Sequence, residues 1–450
     1  MSVEELSGYS GISRELLVKA GARIGDRIRL DVKRANSREI VEGILMPRIH
    51  SGRDDYLVLK LQTGYNIGIR VDSTAVVSVL GKGVEPHFTR PAPPARKTGL
   101  PKVTIISTGG TIASKVDYRT GAVKPALDAQ DMYSVVPELA DVAEVDAKIL
   151  FSVFSENIGP QHWAKISEYV AEQIRSGAEG IVIAHGTDAL GFTAAALSFA
   201  LRGSPVPVVL VGSQRSSDRP SSDAATNLLA STAIAGHSPF AEVVVAMHDW
   251  TSDERIAVHR GTKVRKCHTS RRDAFRSVNA EPIAYYNLGN RSLELNADDY
   301  VPRQKKTDWE VQSQFDPNVV LIKFHPGLSV GIVDWATAAG YKGIVLEGTG
   351  LGHVGEVFFP AIERAVSEGR VVVMCSQCIW GRVNMDVYSA GRDLQRIGVI
   401  PLNDMLAETA LVKMMWAFGQ EKDPEKVRKM MLKNVASEFS PTRKLEAVEK

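Results

Sequence analysis

The sequence predicts an α/β protein in which a small N-terminal β-barrel precedes a two-domain body built on mainly parallel sheets. Three observations carry this. Up to about Gly81 the chain is turn-rich and holds five short strand-like runs. A proline-dense stretch, 82–102, with Pro86, Pro91, Pro93, Pro94 and Pro101, then reads as a semi-extended linker. From Val103 onward, apolar runs that end in glycine and hydroxyl residues alternate with helical patterns, the mark of buried parallel strands joined by crossover helices.

In order, a helix is expected at 13–20, then strands at 27–32, 40–46, 56–61, 66–70 and 75–80, separated by Gly, Asn, Asp or Ser turns. The barrel carries many charges without an aromatic stacking pattern, so its basic residues read as solvated surface rather than an RNA platform. The first α/β domain spans 103–300, with strands at 103–106, 180–184 and 206–211 and helices at 189–201 and 222–235. A polar connection at 301–317 leads to a second α/β domain, 318–450. There, strands at 319–324, 343–347 and 371–374 alternate with helices at 330–339 and 359–368, and helices at 407–418 and 424–432 close the chain.

A chain of 450 residues exceeds one typical core, and 44% hydrophobic with 24% charged residues is ordinary for a soluble globular protein. The formal net charge of +2 gives no electrostatic argument for nucleic acid or membrane. No apolar run approaches the roughly 18 to 20 residues of a membrane span. MSVEELSGYS has acids where a secretory signal would be basic and then apolar, and three cysteines are too few for a disulfide framework. A cytosolic location is expected. Cys375 and Cys378 have CxxC spacing, but no second pair completes a zinc site, and they read as cysteines at a strand end.

The chemistry concentrates in three distant segments: TGGTIAS (Thr108 to Ser114), HGTDAL (His185 to Leu190) and RGTKVRK (Arg260 to Lys266). The first two follow strand-like runs, and ligands of open α/β sheets bind beyond the carboxyl ends of the strands. Amide hydrolysis needs a nucleophile, a base, oxyanion donors and an acid for the departing ammonia. Thr111, directly after Gly109 and Gly110, presents a hydroxyl on a tight turn. Thr187 and Asp188 pair a second hydroxyl with a carboxylate, and Lys263 is the amine expected to serve them, a variant of triad logic. Each motif alone is explained as well by turn formation or helix capping; the set, in this order, is specific.

Over 101–433 these motifs resemble the bacterial-type L-asparaginase and glutaminase family. VVLVGSQR (Val208 to Arg215) with the following RPSSDAATNL (Arg219 to Leu228) is similar to its RP…SD…NL segment, and Ser155-Glu156-Asn157 with Pro160 and Trp163 resembles its substrate loop. The resemblance implies an asparaginase-like body in which Thr111 is the first-ranked nucleophile, with Tyr118 as its activator. It also implies a second triad of Thr187, Asp188 and Lys263, and leaves open which threonine attacks the amide. Ser155, Glu156, Gly110 and Gly186 hold the amino acid substrate, Glu156 standing where many relatives have glutamine. The family also implies a homodimer core.

A barrel and linker before that body resemble the D subunits (GatD) of the archaeal glutamyl-tRNA(Gln) amidotransferases, as do VDYRTGAVKPAL and FSENIGPQHW. That resemblance implies hydrolysis of glutamine to glutamate and ammonia. A GatE-like partner would use the ammonia, with ATP and Mg, to amidate glutamyl-tRNA(Gln), and would make most of the contact with tRNA(Gln). No cofactor and no metal are expected in this chain. The loop carrying Thr111 to Tyr118 is expected to act as the switch that couples turnover to the partner. Two alternatives stand beside this. One is a stand-alone cytosolic L-asparaginase. The other is a dinucleotide site at Gly350-Leu-Gly352-His-Val-Gly355, where the expected acidic ribose partner is missing and a tight turn explains the glycines better.

Overall fold

The computed structural model describes residues 6, 8–34, 37–48, 54–62, 66–83, 98–109, 112, 114–116, 123–125, 132–133, 136–215, 221–304 and 309–440. Helix α1, Gly11–Ala20, ends at Gly21, whose φ of 66° lets its own N–H and that of Ala22 close back on Val18 and Leu17. Strands β1 (Asp26–Arg34), β2 (Ser37–Leu45), β3 (Tyr56–Lys60), β4 (Asn66–Arg70) and β5 (Val76–Lys82) follow. They form one antiparallel sheet in the order β4-β3-β2-β1-β5. The alternation that marked the strands is the alternation of burial: Ile28, Leu30 and Val32 face the core with Leu17 and Leu57, while Arg27 and Arg29 face water. Among the described residues β4 and β5 form the two ends of this sheet, which packs as the small N-terminal β domain that the sequence predicts.

The next element is β6 (Lys102–Ser107), followed by the short hairpin β7 (Ser114–Val116) and β8 (Val123–Pro125), then β9 (Glu144–Ile149). Helices α2 (Pro160–Arg175), α3 (Leu190–Ala200) and α4 (Ala224–His237) alternate with β10 (Gly180–Ala184), β11 (Val208–Val211) and β12 (Val243–His248). Five of these strands lie parallel in the order β12-β11-β10-β6-β9. Both faces are covered. Ile105, Val182 and Val209 join Leu228 and Ile234 of α4 in one core, and their chain neighbours Ile106, Ile183 and Leu210 join Ile166 and Leu197 of α2 and α3 in another. That is why the runs are apolar throughout rather than alternating. Each such side chain contributes roughly 1.5 to 3 kcal/mol on burial.

The expected alternation does not last to the end of this domain. Strands β13 (Arg255–Arg260), β16 (Ala284–Asn287) and β17 (Ser292–Leu295) extend the sheet from β12 in that order, each antiparallel to the one before, and β14 (Val264–Lys266) pairs with β15 (Phe275–Ser277) as a separate hairpin. The reason is connection length: residues 249–254 are too few for the crossover of a dozen or more that a parallel partner requires.

In the second domain β18 (Val319–Lys323), β19 (Gly343–Gly348), β20 (Val371–Ser376) and β21 (Ile400–Pro401) are parallel in sequence order. Helices α5 (Gly331–Ala338), α6 (Phe359–Ser367) and α7 (Ser389–Arg396) cover one face, and α8 (Ala407–Gln420) with α9 (Pro424–Leu432) the other. The two domains share a core: Phe199 of α3 stacks on Trp416 of α8 with centroids 5.6 Å apart. The glycine-rich turn at Gly350 to Gly355 is a packing device. Gly352 has φ 101°, and a Cβ there would lie 2.6 Å from Val383 and 2.9 Å from Met374.

Candidate active site

The parallel strands run in the order second, first, third, fourth, fifth along the chain, counting from β6. The order therefore reverses between β6 and β10, and the place beyond the carboxyl ends of two such strands is where open α/β sheets bind ligands. The loop after β6 begins Thr108-Gly109; the loop after β10 is His185 to Asp188; β9 and β11 add Ser155 and Gly212 from the two sides.

Backbone contacts set these loops close together. The N–H and hydroxyl of Thr108 both donate to the carbonyl of Ala184, at 3.0 and 3.1 Å. Gly109 has φ 123°, and a Cβ on it would lie 2.0 Å from the carbonyl oxygen of Val153, so only glycine lets the β6 and β9 loops touch. A Cβ on Gly186 would meet Ser155 at 2.9 Å, and one on Gly212 would meet the Thr187 methyl at 2.7 Å. Ser155 is buried and its Oγ accepts from the N–H of Ala189 at 3.4 Å, whereas Glu156, next on the same short turn, is exposed.

The described part of the RP…SD…NL segment, from Ser221 on, supports this floor. Asp223 and Asn227 are fully buried. The Asp223 carboxylate accepts from the N–H groups of Gln214 and Arg215, at 3.0 and 2.9 Å, and from Asn227 Nδ2, which also donates to the carbonyl of Gly212 at 2.9 Å. The pair pins the turn that backs Thr187.

Lys266 completes the group. Its Nζ donates to Thr187 Oγ1 at 2.8 Å and to Asp188 Oδ1 at 2.7 Å. A hydroxyl and a carboxylate from the loop after β10 and an amine from the end of β14 thus meet at one point, with the amine held between the other two. Lys263, the lysine expected here from the sequence, is elsewhere: its Nζ donates to Asp404 Oδ2 of the second domain at 2.7 Å, both side chains nearly fully buried. Burial lowers the Lys263 pKa, an effect that Asp404 opposes. Side chains of an extended segment alternate faces, so positions three apart point opposite ways and only one of these two lysines can reach Thr187. The sequence signal that could have chosen Lys266 is that parity, once the face of β14 was known. Thr111, Gly110 and Tyr118 lie outside the described residues.

His185, between the two loops, is fully buried and neutral. Its Nδ1 is 2.7 Å from the Gly186 carbonyl, which can only accept, so Nδ1 carries the proton and Nε2 accepts from Thr193 Oγ1 at 2.9 Å. Thr193 in turn accepts from Trp163 Nε1. The lone pair is therefore occupied, and His185 is a structural post rather than a base. Burial depresses its pKa to about 4, and that of His259 to about 3. In each case the unfolded chain takes up a proton near pH 6.5 while the folded one does not, so the stability is present above that pH and is lost as pH falls toward the folded value. Chemical denaturation at about pH 7 and about pH 5 should show a loss of about 2 kcal/mol per histidine, and His185→Gln should reduce the slope. Cys267 follows Lys266 and is exposed, but partial desolvation pushes its thiol pKa up, the wrong direction for a nucleophilic thiolate. Cys375 is buried with its pKa also raised, and Cys378 is exposed.

Fold and geometry together define an amidohydrolase of the asparaginase and glutaminase class. The comparisons with known proteins agree and narrow it. Family models match "Asparaginase, N-terminal" at residues 102–299, "Glutaminase/Asparaginase C-terminal domain" at 318–431 and "GatD N-terminal domain" at 22–80. The chain is 51% identical to the glutamyl-tRNA(Gln) amidotransferase D subunit of Pyrococcus abyssi, covering 95% of this chain and 97% of that protein. It is 49% identical to the D subunit of Metallosphaera sedula, covering 98% of each. Among solved structures, the thermostable L-asparaginase from Thermococcus kodakarensis matches with a TM-score of 0.68 and 33% identity, over 76% of this chain and 100% of that one. The chain belongs to the family of glutamyl-tRNA(Gln) amidotransferase D subunits.

Proposed function

We propose that this chain is the glutaminase subunit of a tRNA-dependent amidotransferase: it hydrolyses glutamine to glutamate and ammonia, and a partner subunit uses the ammonia, with ATP and Mg, on glutamyl-tRNA(Gln). The observation that carries the chemistry is Lys266 Nζ within 2.8 Å of both Thr187 Oγ1 and Asp188 Oδ1 at the switch point of the sheet. What favours the complex over a stand-alone L-asparaginase is the N-terminal sheet, matched by its own family model, together with near full-length similarity to D subunits.

In this reading a threonine oxygen, with Thr111 ranked first, attacks the glutamine side-chain carbonyl. The C–N bond breaks, ammonia leaves carrying the transferred proton, and a glutamyl ester remains on the enzyme. Water then attacks the ester, releasing glutamate. Asp188 holds Lys266 so that Nζ, in its amine form, takes the proton of the attacking threonine, from Thr187 itself or from Thr111 through Thr187, and returns it to the nitrogen that departs as ammonia. Ser155 and Gly186 bind the α-groups of the substrate, with Glu156 and Asp188 facing its ammonium. The same reading carries the GatE-like partner, tRNA contact mainly through that partner, a homodimeric core and a cytoplasmic location.

The test is isotopic. With partner, ATP, Mg and glutamyl-tRNA(Gln) present, glutamine labelled at its amide nitrogen should yield labelled glutaminyl-tRNA. Label that stays in free ammonia while asparagine is hydrolysed rapidly without any partner would favour the stand-alone asparaginase.

A further inference from the structure

Lys263 is among the largest fully buried side chains, at 1% exposed, and the proposed chemistry leaves it unused. A buried ion pair is weak evidence for stability, since hydrophobic residues of the same volume do as well or better; its best-attested use is to fix one arrangement among several. The arrangement at stake here is that of the β14–β15 hairpin, which presents Lys266.

The hairpin is fastened at its base, and from the other domain. Val264 pairs with Ser277 at that end and Lys266 with Phe275 at the far end, next to the connecting loop. Just before the first strand, Lys263 Nζ grips Asp404, while its N–H donates to the carbonyl of Arg260 and its own carbonyl accepts from the N–H of Val278. Just after the second strand, Asn279 Nδ2 donates to the carbonyl of Asp404, and its Oδ1 accepts from the N–H of Gly381. Asp404 is itself clamped, accepting the Ser440 N–H, while Ser440 Oγ donates to the carbonyl of Asn279. Thr262 donates to the carbonyl of Ala436, and Thr409 to that of Thr262. Thr262, the Lys263 side chain and Asn279 are thus all held by the second domain or its terminal segment. Lys266 stands three residues along, roughly 10 Å from that base at the strand rise. A small shift at Lys263 therefore becomes a shift of Lys266 Nζ relative to Thr187.

We propose that Asp404, acting through Lys263, sets the position of Lys266 against Thr187, so that the second domain holds the amine of the site in register. Lys263 and Asp404 are positioning residues, and the inference rests on the glutaminase reading above.

Glutamine hydrolysis by the intact complex with its partner tests this. Lys263→Met should lower kcat by ~10- to 100-fold with KM within about twofold, since a displacement near 1 Å costs that much. Because that variant strands the Asp404 charge and risks misfolding, the decisive variant is Lys263→Met with Asp404→Leu, which removes both charges. It should fold with a thermal midpoint near wild type and show the same kcat loss; Lys263→Arg, which keeps the pair, should recover most of it. Wild-type kcat per folded molecule in the double variant would overturn the proposal, leaving the pair a structural element only. A wild-type complex unable to hydrolyse glutamine would instead refute the functional reading, which is a separate result.

Discussion

Lys266→Ala should lower kcat for glutamine hydrolysis by about a thousandfold or more, the scale on which removing a triad member acts. Its stability should change little, because Lys266 pairs with an Asp188 side chain that is 73% exposed, and such ion pairs contribute about 1 kcal/mol or less. Ammonia supplied directly should still support amidation by the partner, since only ammonia production is lost. The readout is the ratio of glutamine-dependent to ammonia-dependent amidation at matched protein concentration. The choice of lysine is what the experiment decides. Lys263→Ala should instead destabilise the fold, because among the described residues the buried Asp404 carboxylate would be left with the Ser440 N–H and the Arg382 guanidinium, 4.0 Å away, in place of its close ammonium partner.

The second large effect is on stability. Lys413 and Glu438 form an ion pair with both side chains fully buried. Lys413 Nζ also donates to the carbonyls of Met431 and Lys433, and Glu438 accepts the N–H groups of Val435 and Ala436. The pair thus ties α8 to the segment that follows α9, beside the core shared by the two domains. Glu438→Leu leaves the ammonium in an apolar seam, where burial already lowers the Lys413 pKa against the opposing pull of Glu438. A loss of about 3 to 5 kcal/mol is expected on denaturant unfolding, with most of it recovered in Lys413→Met/Glu438→Leu. Equal losses in the single and double variants would mean that the hydrogen bonds to the backbone, rather than the charge pairing, carry the stability.

Much of the fold was legible because burial and periodicity coincide. The strand at Asn66–Arg70 and the helix at Pro424–Leu432 fall where the pattern of apolar residues and turn formers puts them. The antiparallel rim after β12 was less visible: Arg255–Arg260 is as apolar in its middle as a parallel strand, and only the short connection before it excludes a crossover. Around the sheet's switch point, Thr187 and Asp188 both bond Lys266 and Gly186 packs on Ser155, each loop following a parallel strand on the same side of the sheet. Lys266 was missed for a physical reason. Two lysines three residues apart in RGTKVRK are equivalent by composition, and what separates them is which one meets Asp404, a contact 141 residues distant along the chain. The roles of Asp223 and Asn227 were hidden for the same reason: both act through a turn eight or more residues earlier.

The central claim is that a threonine of this site, rather than a thiol, attacks the amide. A glutamine analogue with an electrophilic group in place of the side-chain amide should label the complex with loss of glutaminase activity, and peptide mapping will locate the adduct. Modification is expected at Thr111 or Thr187, and it should be lost on Lys266→Ala. An activity-linked adduct on Cys267 or Cys378, or on a residue outside these loops, would contradict the claim.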